Sequence, residues 1–364
     1  MALSDAQRAE RFAKLGKICD AICKDTVKGA VSFLGDNTPT ILERFSSGCP
    51  ELDDAMGGGI PVGKMIEYNG APSSGKSTAA YHAIAEFQAK YPDKEVMLID
   101  TEQSWDSIYA MALGVDPSIV IVCQPDYAEQ GLDVIRAGIS KGNVGLVVVD
   151  SVGVFPLKAE FEDEMGASNF SGAAKLITKA MRIIGTEASV NKTTIIWINQ
   201  LRDKIGGVSY GEKTGTPGGH ALKHAAAIRV KFAVMEKTKD GETIVGTKVR
   251  ADVVKNKVAP PFKKAVFYIS FGTGIDKYAA IVDASIAKGV VTKKGNTISF
   301  GEEKLARGRG DFLQKVKENP DLFNKLSELV KLAPEPDKEN KGTVNISAIA
   351  GDVLPSEESS EGEV

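Results

Sequence analysis

Residues 70–77 combine the residue types and the spacing that hold phosphate groups. They read GAPSSGKS and match the pattern G-x-x-x-x-G-K-[ST], although a chance match is the alternative. A β-branched run precedes them and a helical pattern follows, so loop N–H groups and a helix N-terminus can cradle phosphate oxygens. Lys76 can reach β- and γ-phosphates, and Ser77 can ligate Mg²⁺. The predicted nucleotide-binding residues of this segment are Gly70, Ala71, Pro72, Ser73, Ser74, Gly75, Lys76, Ser77 and Thr78.

Carboxylates end two β-branched runs, where a nucleotide site would need acids. Asp150 follows one run directly and could organise a bound metal or cap the next helix. Asp100 and Glu102 end another run and share a strand face, so either could polarise a water and either could cap a turn. Asp106 and Tyr109 lie just beyond, at a spacing that could hold a nucleobase, although Tyr109 could equally pack in the core.

Two stretches, residues 160–169 and 202–220, have the compositions least suited to regular structure. The second contains six glycines without periodicity, and a long loop inside a compact domain is usually functional or disordered. Its cations, which include Lys204 and Lys213, suit phosphate groups. The first stretch is acidic, so contacts with nucleic acid there would use the backbone and Met165 wedged between bases. Flexible surface loops are the alternative for both.

Lys255 and Lys257 alternate along a predicted strand and therefore share one of its faces. A solvated strand edge is the ordinary explanation of two such lysines. With no evident acidic partner nearby in sequence, they would also suit an anion that another chain supplies.

The elements that must position these residues are short β-branched runs separated by longer segments, which indicate parallel strands joined by helices. After residue 227, two runs flank a turn containing Asp240 and Gly241, which predicts an antiparallel hairpin. The expected fold is α/β, with a mixed, mostly parallel central sheet that is antiparallel at one edge.

Both ends of the chain differ in pattern from this core. Residues 5–34 predict a helix and a short strand, an arm whose apolar face must dock on its own core or on a neighbouring subunit. A helical pattern at 278–287, a possible hairpin at 290–300 and a helical pattern at 311–332 predict a small α/β module. The predicted boundaries are 1–38 for the arm, 39–273 for the core, 274–334 for the module and 335–364 for an acidic disordered tail.

Composition limits the class of protein. The 364 residues include 45 basic and 48 acidic side chains, and the net charge of −3 excludes binding to nucleic acid by bulk positive charge alone. No apolar run approaches the roughly 18 residues of a membrane span, so no membrane partner is expected. The four cysteines form no C-x-x-C pair, which favours reduced thiols in a cytoplasmic protein.

Taken together, these motifs resemble the bacterial-type RecA recombinase family over most of the chain, from about residue 10 to about residue 332. The segments that carry the resemblance are FSSGCPELD at 45–53, the phosphate loop at 70–77, LIDTE at 98–102, VDSV at 149–152, INQLR at 198–202 and VVKNK at 253–257. The resemblance implies a RecA-like P-loop ATPase core, an N-terminal arm that docks on the neighbouring subunit and a small C-terminal domain.

Matched position by position, the resemblance also implies roles for residues of the nucleotide site. It implies that Glu102 is the catalytic carboxylate and that Asp106 and Tyr109 contact adenine. It casts Gln200 as the sensor of the γ-phosphate. Lys255 and Lys257 would reach the ATP of the adjacent subunit, and Asp150 would hold Mg²⁺ through water.

The resemblance assigns the two irregular stretches as DNA-binding loops. Basic residues of the C-terminal module could gather duplex DNA, with a generic solvated face as the alternative; they are Lys288, Lys293, Lys294, Lys304, Arg307 and Arg309. The predicted contacts with single-stranded DNA are Met165, Lys175, Arg182, Arg202, Lys204, Gly206, Gly207, Lys213, Gly218 and Gly219.

Four positions near the nucleotide and subunit contacts differ from the family's usual residues. Pro72 stands where Glu is usual, Gln103 where His is common, Lys175 where Arg is usual and His224 where Phe is usual. They indicate a divergent member of the family, as a virus-encoded one would be.

The expected function is ATP-dependent DNA strand exchange with the cofactors ATP and Mg²⁺. Subunits would form a helical filament on single-stranded DNA and test double-stranded DNA for pairing, with base pairing supplying the sequence recognition. One alternative is a ring-forming motor of the same ATPase superfamily, such as a helicase. The other is a non-catalytic, nucleotide-gated scaffold, which would not need Glu102.

Overall fold

The computed structural model describes residues 5–25, 42–154, 156–162, 170–200, 202–203, 214–215 and 219–333. The chain divides into two compact units, Met1–Glu43 and Arg44–Val364. The helices are Asp5–Asp25 (α1), Pro50–Met56 (α2), Lys76–Lys90 (α3), Ser107–Ala112 (α4), Ala128–Lys141 (α5), Lys158–Glu162 (α6), Phe170–Val190 (α7), Gly219–Ala225 (α8), Lys277–Ala287 (α9), Gly308–Glu318 (α10) and Pro320–Leu332 (α11).

The first unit contains α1, which is the helical part of the predicted arm. Leu15 and Ile18 lie on this helix and are exposed. The strand predicted within residues 27–34 falls outside the described residues.

The second unit is built on one large mixed sheet, in which nine strands of the described chain take part. The strands are Arg44–Phe45 (β1), Ile60–Pro61 (β2), Met65–Gly70 (β3), Glu95–Asp100 (β4), Val120–Cys123 (β5), Val144–Asp150 (β6), Thr194–Gln200 (β7), Arg202–Asp203 (β8), Thr214–Gly215 (β9), Ile228–Asp240 (β10), Thr243–Asn256 (β11), Lys264–Ser270 (β12), Gly274–Ile275 (β13), Thr292–Lys294 (β14), Thr297–Phe300 (β15) and Glu303–Arg307 (β16).

Across the large sheet the order is β13-β12-β11-β10-β3-β7-β6-β4-β5. The strands from β10 to β5 are parallel, and β10 to β13 are joined antiparallel. This order confirms the predicted mixed, mostly parallel α/β sheet with an antiparallel edge. The predicted hairpin is the pair β10 and β11.

Helices cover both faces of the sheet, which explains why its central strands are continuously apolar. Every residue of β6 is buried. On one face, Ile84 and Phe87 of α3 pack with Tyr68 and Phe232. On the other face, helices α5, α7 and α8 cover a second core that contains Trp197. Both cores lie on one set of parallel strands. Because parallel strands all end at the same edge of the sheet, the loops at their carboxyl ends are brought close together.

The C-terminal module, from α9 to α11, has a separate core that includes Val282, Phe312 and Leu326. Two details differ from the sequence prediction. The hairpin gains a third strand, β16, and the single helical pattern at 311–332 is two helices. The helix breaks because Pro320 has no N–H for a helix interior, and Asn319 caps the second helix by accepting from Leu322 N over 2.9 Å.

The two stretches predicted to be irregular contain short regular segments. Helix α6 enters the first of them, and β8 pairs with β9 in the second. The second stretch also contains the start of α8 at Gly219. The remaining residues of both stretches, and the predicted tail from 335, lie outside the described residues. Within the described part of the chain, no helix is long and apolar enough to cross a bilayer.

Candidate active site

The phosphate-binding segment connects β3 to the start of α3, as the motif requires. Gly75 has φ of 90° and an added Cβ would lie 2.3 Å from Ile269 Cδ1, so the loop closes only with glycine there. An added Cβ at Gly70 would lie 2.6 Å from the carbonyl oxygen of Phe232. Residues of the sheet therefore lie close against the loop, and both glycines permit that close approach.

Lys76 is the first residue of α3 and is buried. Its ammonium group contacts polar groups of the loop. Its Nζ donates to the carbonyl oxygen of Ala71 over 2.8 Å. Burial lowers the pKa of Lys76, while the charges of Asp150 and Glu102 act in the opposite direction. The loop thus presents one partly desolvated cation to an anion.

The two predicted metal ligands lie side by side. Ser77 Oγ donates to Asp150 Oδ2 over 2.7 Å, and Asp150 is buried at the end of β6. Burial raises the pKa of Asp150 to about 6, which the hydrogen bond from Ser77 opposes. A hydroxyl and one carboxylate fit Mg²⁺, which prefers oxygen ligands and keeps several waters beside phosphate oxygens. No cluster of three His, Cys, Asp or Glu side chains that could hold a metal occurs among the described residues.

The structure separates the two acids that the sequence left open. Asp100 is buried and accepts from Ser104 N, Trp105 N and Gln124 Nε2, each over 3.1 Å. It therefore holds the turn after β4 and is not available to a water. Glu102 lies within that turn and is exposed, and its charge acts on Lys76 of the phosphate loop.

Gln200 ends β7, directly beside the strand that leads into the phosphate loop. In the register, Gly70 pairs with Gln200. Gln200 Nε2 donates to Glu102 Oε1 over 2.6 Å, and Ser151 Oγ donates to the same oxygen over 2.5 Å. The sequence prediction placed Gln200 here but missed Ser151, whose only signal was a hydroxyl residue directly after Asp150.

Asp106 and Tyr109 lie on either side of the start of α4. Asp106 Oδ1 caps that helix by accepting from Ile108 N and Tyr109 N over 2.9 and 3.0 Å. Tyr109 is half-buried, and its hydroxyl shares a hydrogen bond of 2.9 Å with Thr78 Oγ1 in the first turn of α3. The ring that the sequence predicted for the nucleobase is thus tied to the helix that follows the phosphate loop.

Lys255 and Lys257 are not brought to the phosphate loop of their own chain. Lys257 N donates to Ala227 O and Ala227 N donates to Met65 O, so these lysines lie at the end of the sheet where β3 begins. The loop lies at the other end, five residues along β3, which is roughly 16 Å at about 3.3 Å per residue. The sequence placed both lysines on one strand, but β11 ends at Asn256 and Lys257 follows it.

Both ammonium groups contact the last turn of α8. Lys255 Nζ and Lys257 Nζ donate to the carbonyl oxygen of His224 over 3.0 and 2.9 Å. Burial, with the charge of Lys257 beside it, lowers the pKa of Lys255 to about 8. The C-terminal carbonyls of a helix attract cations, which accounts for this arrangement within one chain.

Of the predicted DNA contacts, Lys175 and Arg182 lie exposed on α7. Lys179, which the sequence prediction missed, is also exposed, and the spacing i, i+4, i+7 puts the three cations on one side of the helix. Arg202 lies in β8 and Gly219 begins α8. The remaining predicted contacts lie outside the described residues; they are Met165, Lys204, Gly206, Gly207, Lys213 and Gly218.

Two of the six basic residues proposed for duplex DNA are engaged inside the C-terminal module. Lys288 Nζ donates to Val330 O over 3.1 Å, and Arg309 forms an ion pair of 2.6 Å with Asp283. The other four are exposed; they are Lys293, Lys294, Lys304 and Arg307. The basic surface of the module is therefore smaller than its sequence indicates.

Comparison with known proteins covers most of the chain, from residue 13 in the first unit to residue 333 in the second. The model of the RecA N-terminal domain matches residues 13–276, and that of the RecA C-terminal domain matches residues 279–333. The chain is 40% identical over 325 residues to Protein RecA of Levilactobacillus brevis, which covers 89% of this chain and 85% of the relative. It is 40% identical over 326 residues to Protein RecA of Macrococcus caseolyticus, covering 89% and 92%. It is 40% identical over 333 residues to Protein RecA of Clostridium beijerinckii, covering 90% and 91%.

Proposed function

The chain belongs to the RecA family, and on that premise we propose that its ATP site is completed by a second copy of the chain on DNA. The protein is an ATP-dependent recombinase of recombination and repair and a DNA-dependent ATPase. Members of the family bind ATP and DNA and form filaments. The roles of individual residues, the choice of Mg²⁺ and the order in which DNA strands are bound are our proposals.

The observation that carries the proposal is the contact between Gln200 and Glu102 beside the phosphate loop. Glu102 is the base that takes a proton from the attacking water, since Asp100 is engaged in its turn. Gln200 senses the γ-phosphate, and its amide can bond either that phosphate or Glu102 Oε1. Binding of ATP therefore changes the hydrogen bonds of the base itself.

The remaining residues of the site bind and orient the nucleotide. Lys76 and the loop N–H groups hold the β- and γ-phosphates, and Tyr109 and Asp106 contact the adenine. Ser77 and Asp150 hold Mg²⁺, Asp150 through a water. When bound, Mg²⁺ neutralises charge on the phosphate oxygens.

Lys255 and Lys257 complete the site of the adjacent subunit. Their place at the opposite end of the sheet from the phosphate loop supports action between chains over action within one chain. A cation there stabilises the charge that develops on the transferred phosphoryl group. The α1 arm docks on the same neighbour, and copies joined in this way form an open helical filament.

DNA reaches the site through the segment that follows Gln200. The residues of 202–220 bind single-stranded DNA together with the exposed cations of α7, and a duplex is then tested by base pairing. Because Gln200 directly precedes that segment, nucleotide and DNA bias the same hydrogen bonds. The ring-forming motor and the scaffold lose support because the relatives are recombinases and Glu102 stands beside the loop.

Lys76→Ala tests the nucleotide site. Without the cation on the β- and γ-phosphates, the variant should form no joint molecules with single-stranded and duplex DNA, while its circular dichroism spectrum stays that of the wild type. Lys90→Ala, at the far end of the same helix, is the control and should exchange strands normally. Normal exchange by Lys76→Ala would contradict the assignment. Electron microscopy with ATP and single-stranded DNA should show open helical filaments for the wild type rather than closed rings.

A further inference from the structure

Ser151 contacts the proposed base, and the mechanism above gives it no role. It follows Asp150 directly at the end of β6, and its side chain is fully buried. Its Oγ donates to Glu102 Oε1 over 2.5 Å. A serine hydroxyl has one proton to donate. The buried Ser151 donates that proton to the exposed carboxylate of Glu102, beside the phosphate loop.

The backbone of Ser151 is fixed to the residue that precedes Glu102. Ser151 N donates to Thr101 Oγ1 over 2.8 Å, and Thr101 Oγ1 lies 2.9 Å from the carbonyl oxygen of Ser151, to which it can donate. Thr101 N also donates to Asp150 O over 2.8 Å. These bonds join the ends of β4 and β6, so the Ser151 hydroxyl has a defined position relative to the Glu102 backbone.

The two donors to Glu102 Oε1 differ in their surroundings. Ser151 is 0% exposed and held by Thr101, whereas Gln200 is only partly buried and ends its strand. Among the described residues, no hydrogen bond reaches the other carboxylate oxygen, Oε2. One oxygen is thus held by the protein and the other is available to a water.

We propose that Ser151 is a positioning residue that holds Glu102 Oε1, so that Oε2 faces the attacking water. The inference rests on the proposed function, in which Glu102 is the base. The proton of the water passes to Oε2 as its oxygen bonds to the γ-phosphorus and the bond to the ADP oxygen breaks. When Gln200 leaves Oε1 for the γ-phosphate, Ser151 keeps the carboxylate in place.

Ser151→Ala tests this role in the DNA-dependent ATPase of the full chain. Loss of orientation should lower kcat by about tenfold to a hundredfold while KM for ATP stays unchanged. kcat is counted per site that binds a non-hydrolysable ATP analogue, so misfolded protein does not enter the comparison.

Two further serine variants serve as controls. Ser151→Thr restores the hydroxyl and should recover part of the lost kcat. Ser285→Ala removes an equally buried hydroxyl, which donates to Val282 O over 2.9 Å in the C-terminal module, and should leave kcat unchanged.

Glu102→Gln, measured in parallel, separates this inference from the proposed function. If Glu102→Gln is inactive and Ser151→Ala keeps kcat within about twofold of wild type, Ser151 has no positioning role although Glu102 is the base. A loss of analogue binding by Ser151→Ala, or a raised KM for ATP with an unchanged kcat, would also overturn the inference. An active Glu102→Gln would overturn the proposed base itself.

Discussion

Asp150 is the residue whose burial most affects how the site responds to pH. Its pKa is raised from 3.8 to about 6, so the folded protein binds a proton at pH values where the unfolded chain has lost it. The contribution of this proton to the free energy of unfolding is fully present below about pH 4 and is lost as pH rises through 6. At neutral pH the site therefore holds an ionised, buried carboxylate, which a bound metal would stabilise.

Asp150→Asn should consequently stabilise the nucleotide-free protein while it disables the site. At pH 8 the free energy of unfolding should rise by about 1 to 3 kcal/mol relative to wild type, since the unfavourable buried charge is gone. At pH 5 the gain should be about half as large, and below pH 4 it should be close to zero. Urea unfolding at both pH values measures the difference, and Mg²⁺-dependent ATP hydrolysis should be lost.

Asp126→Asn provides the control for this prediction because Asp126 is exposed. It should show the same small difference from wild type at both pH values. Destabilisation by Asp150→Asn at pH 8 would mean that the carboxylate is already stabilised by its neighbours.

The arrangement of site residues was predictable where these residues are contiguous in sequence. The phosphate loop needs its glycines, lysine and serine in one segment, so a pattern finds them. The choice between Asp100 and Glu102 was not predictable in this way. It depends on Gln124, which is 24 positions from Asp100 in sequence and reaches it only after β5 pairs with β4.

Helix α7 is the element whose exposed side carries the clearest DNA-binding signal. Lys175, Lys179 and Arg182 lie on that side, while Met181 and Ile184 face the core. The hydrophobic positions of the helix are therefore fixed by packing. Its cations are free to serve a polyanion without a cost in stability.

Replacing any one of these three cations with Ala should weaken binding to single-stranded DNA in a salt-dependent way. Each lost phosphate contact should reduce the slope of log Kobs against log salt by about 0.7. Fluorescence anisotropy with a non-hydrolysable ATP analogue over a series of salt concentrations measures the slope. Lys141→Ala, an exposed lysine at the end of α5, should leave it unchanged. An unchanged slope for Lys179→Ala would remove that residue from the DNA-binding side.

The elements of the core were predictable because buried parallel strands are continuous apolar runs. Strand β16 was missed because only Leu305 of its five residues is buried, so it has little apolar pattern. The break between α10 and α11 shows the opposite case. Periodicity continues across Pro320, and the backbone chemistry of proline, not the pattern of side chains, ends the helix.

At the scale of the whole molecule, the phosphate loop and the Lys255–Lys257 pair lie at opposite ends of the same sheet. Under the proposed shared site, one chain therefore contains two halves that it cannot join itself. The contact of both lysines with the last turn of α8 also connects them to the helix that begins at Gly219.

Mixing two inactive variants tests whether the site is shared between chains. The double variant Lys255→Ala/Lys257→Ala should bind ATP but hydrolyse it poorly, and Glu102→Ala should be inactive because no base takes the proton. Mixed filaments should recover part of the DNA-dependent ATPase, since some interfaces join an intact Glu102 to intact lysines. Co-assembly is checked with labelled variants. Background activity at every mixing ratio, in filaments that contain both, would refute the shared site.

The separation of the two half-sites also makes the tips of an assembly unequal. If the site is shared as proposed, chains that each offer lysines at one end and a phosphate loop at the other assemble with a single polarity, and a run of them has one fewer complete site than it has members. The terminal member whose loop faces outward keeps its ATP because no neighbour's lysines reach it. ATP hydrolysis is then confined to interior positions and the opposite tip. Subunits should therefore be added and lost at different rates at the two tips.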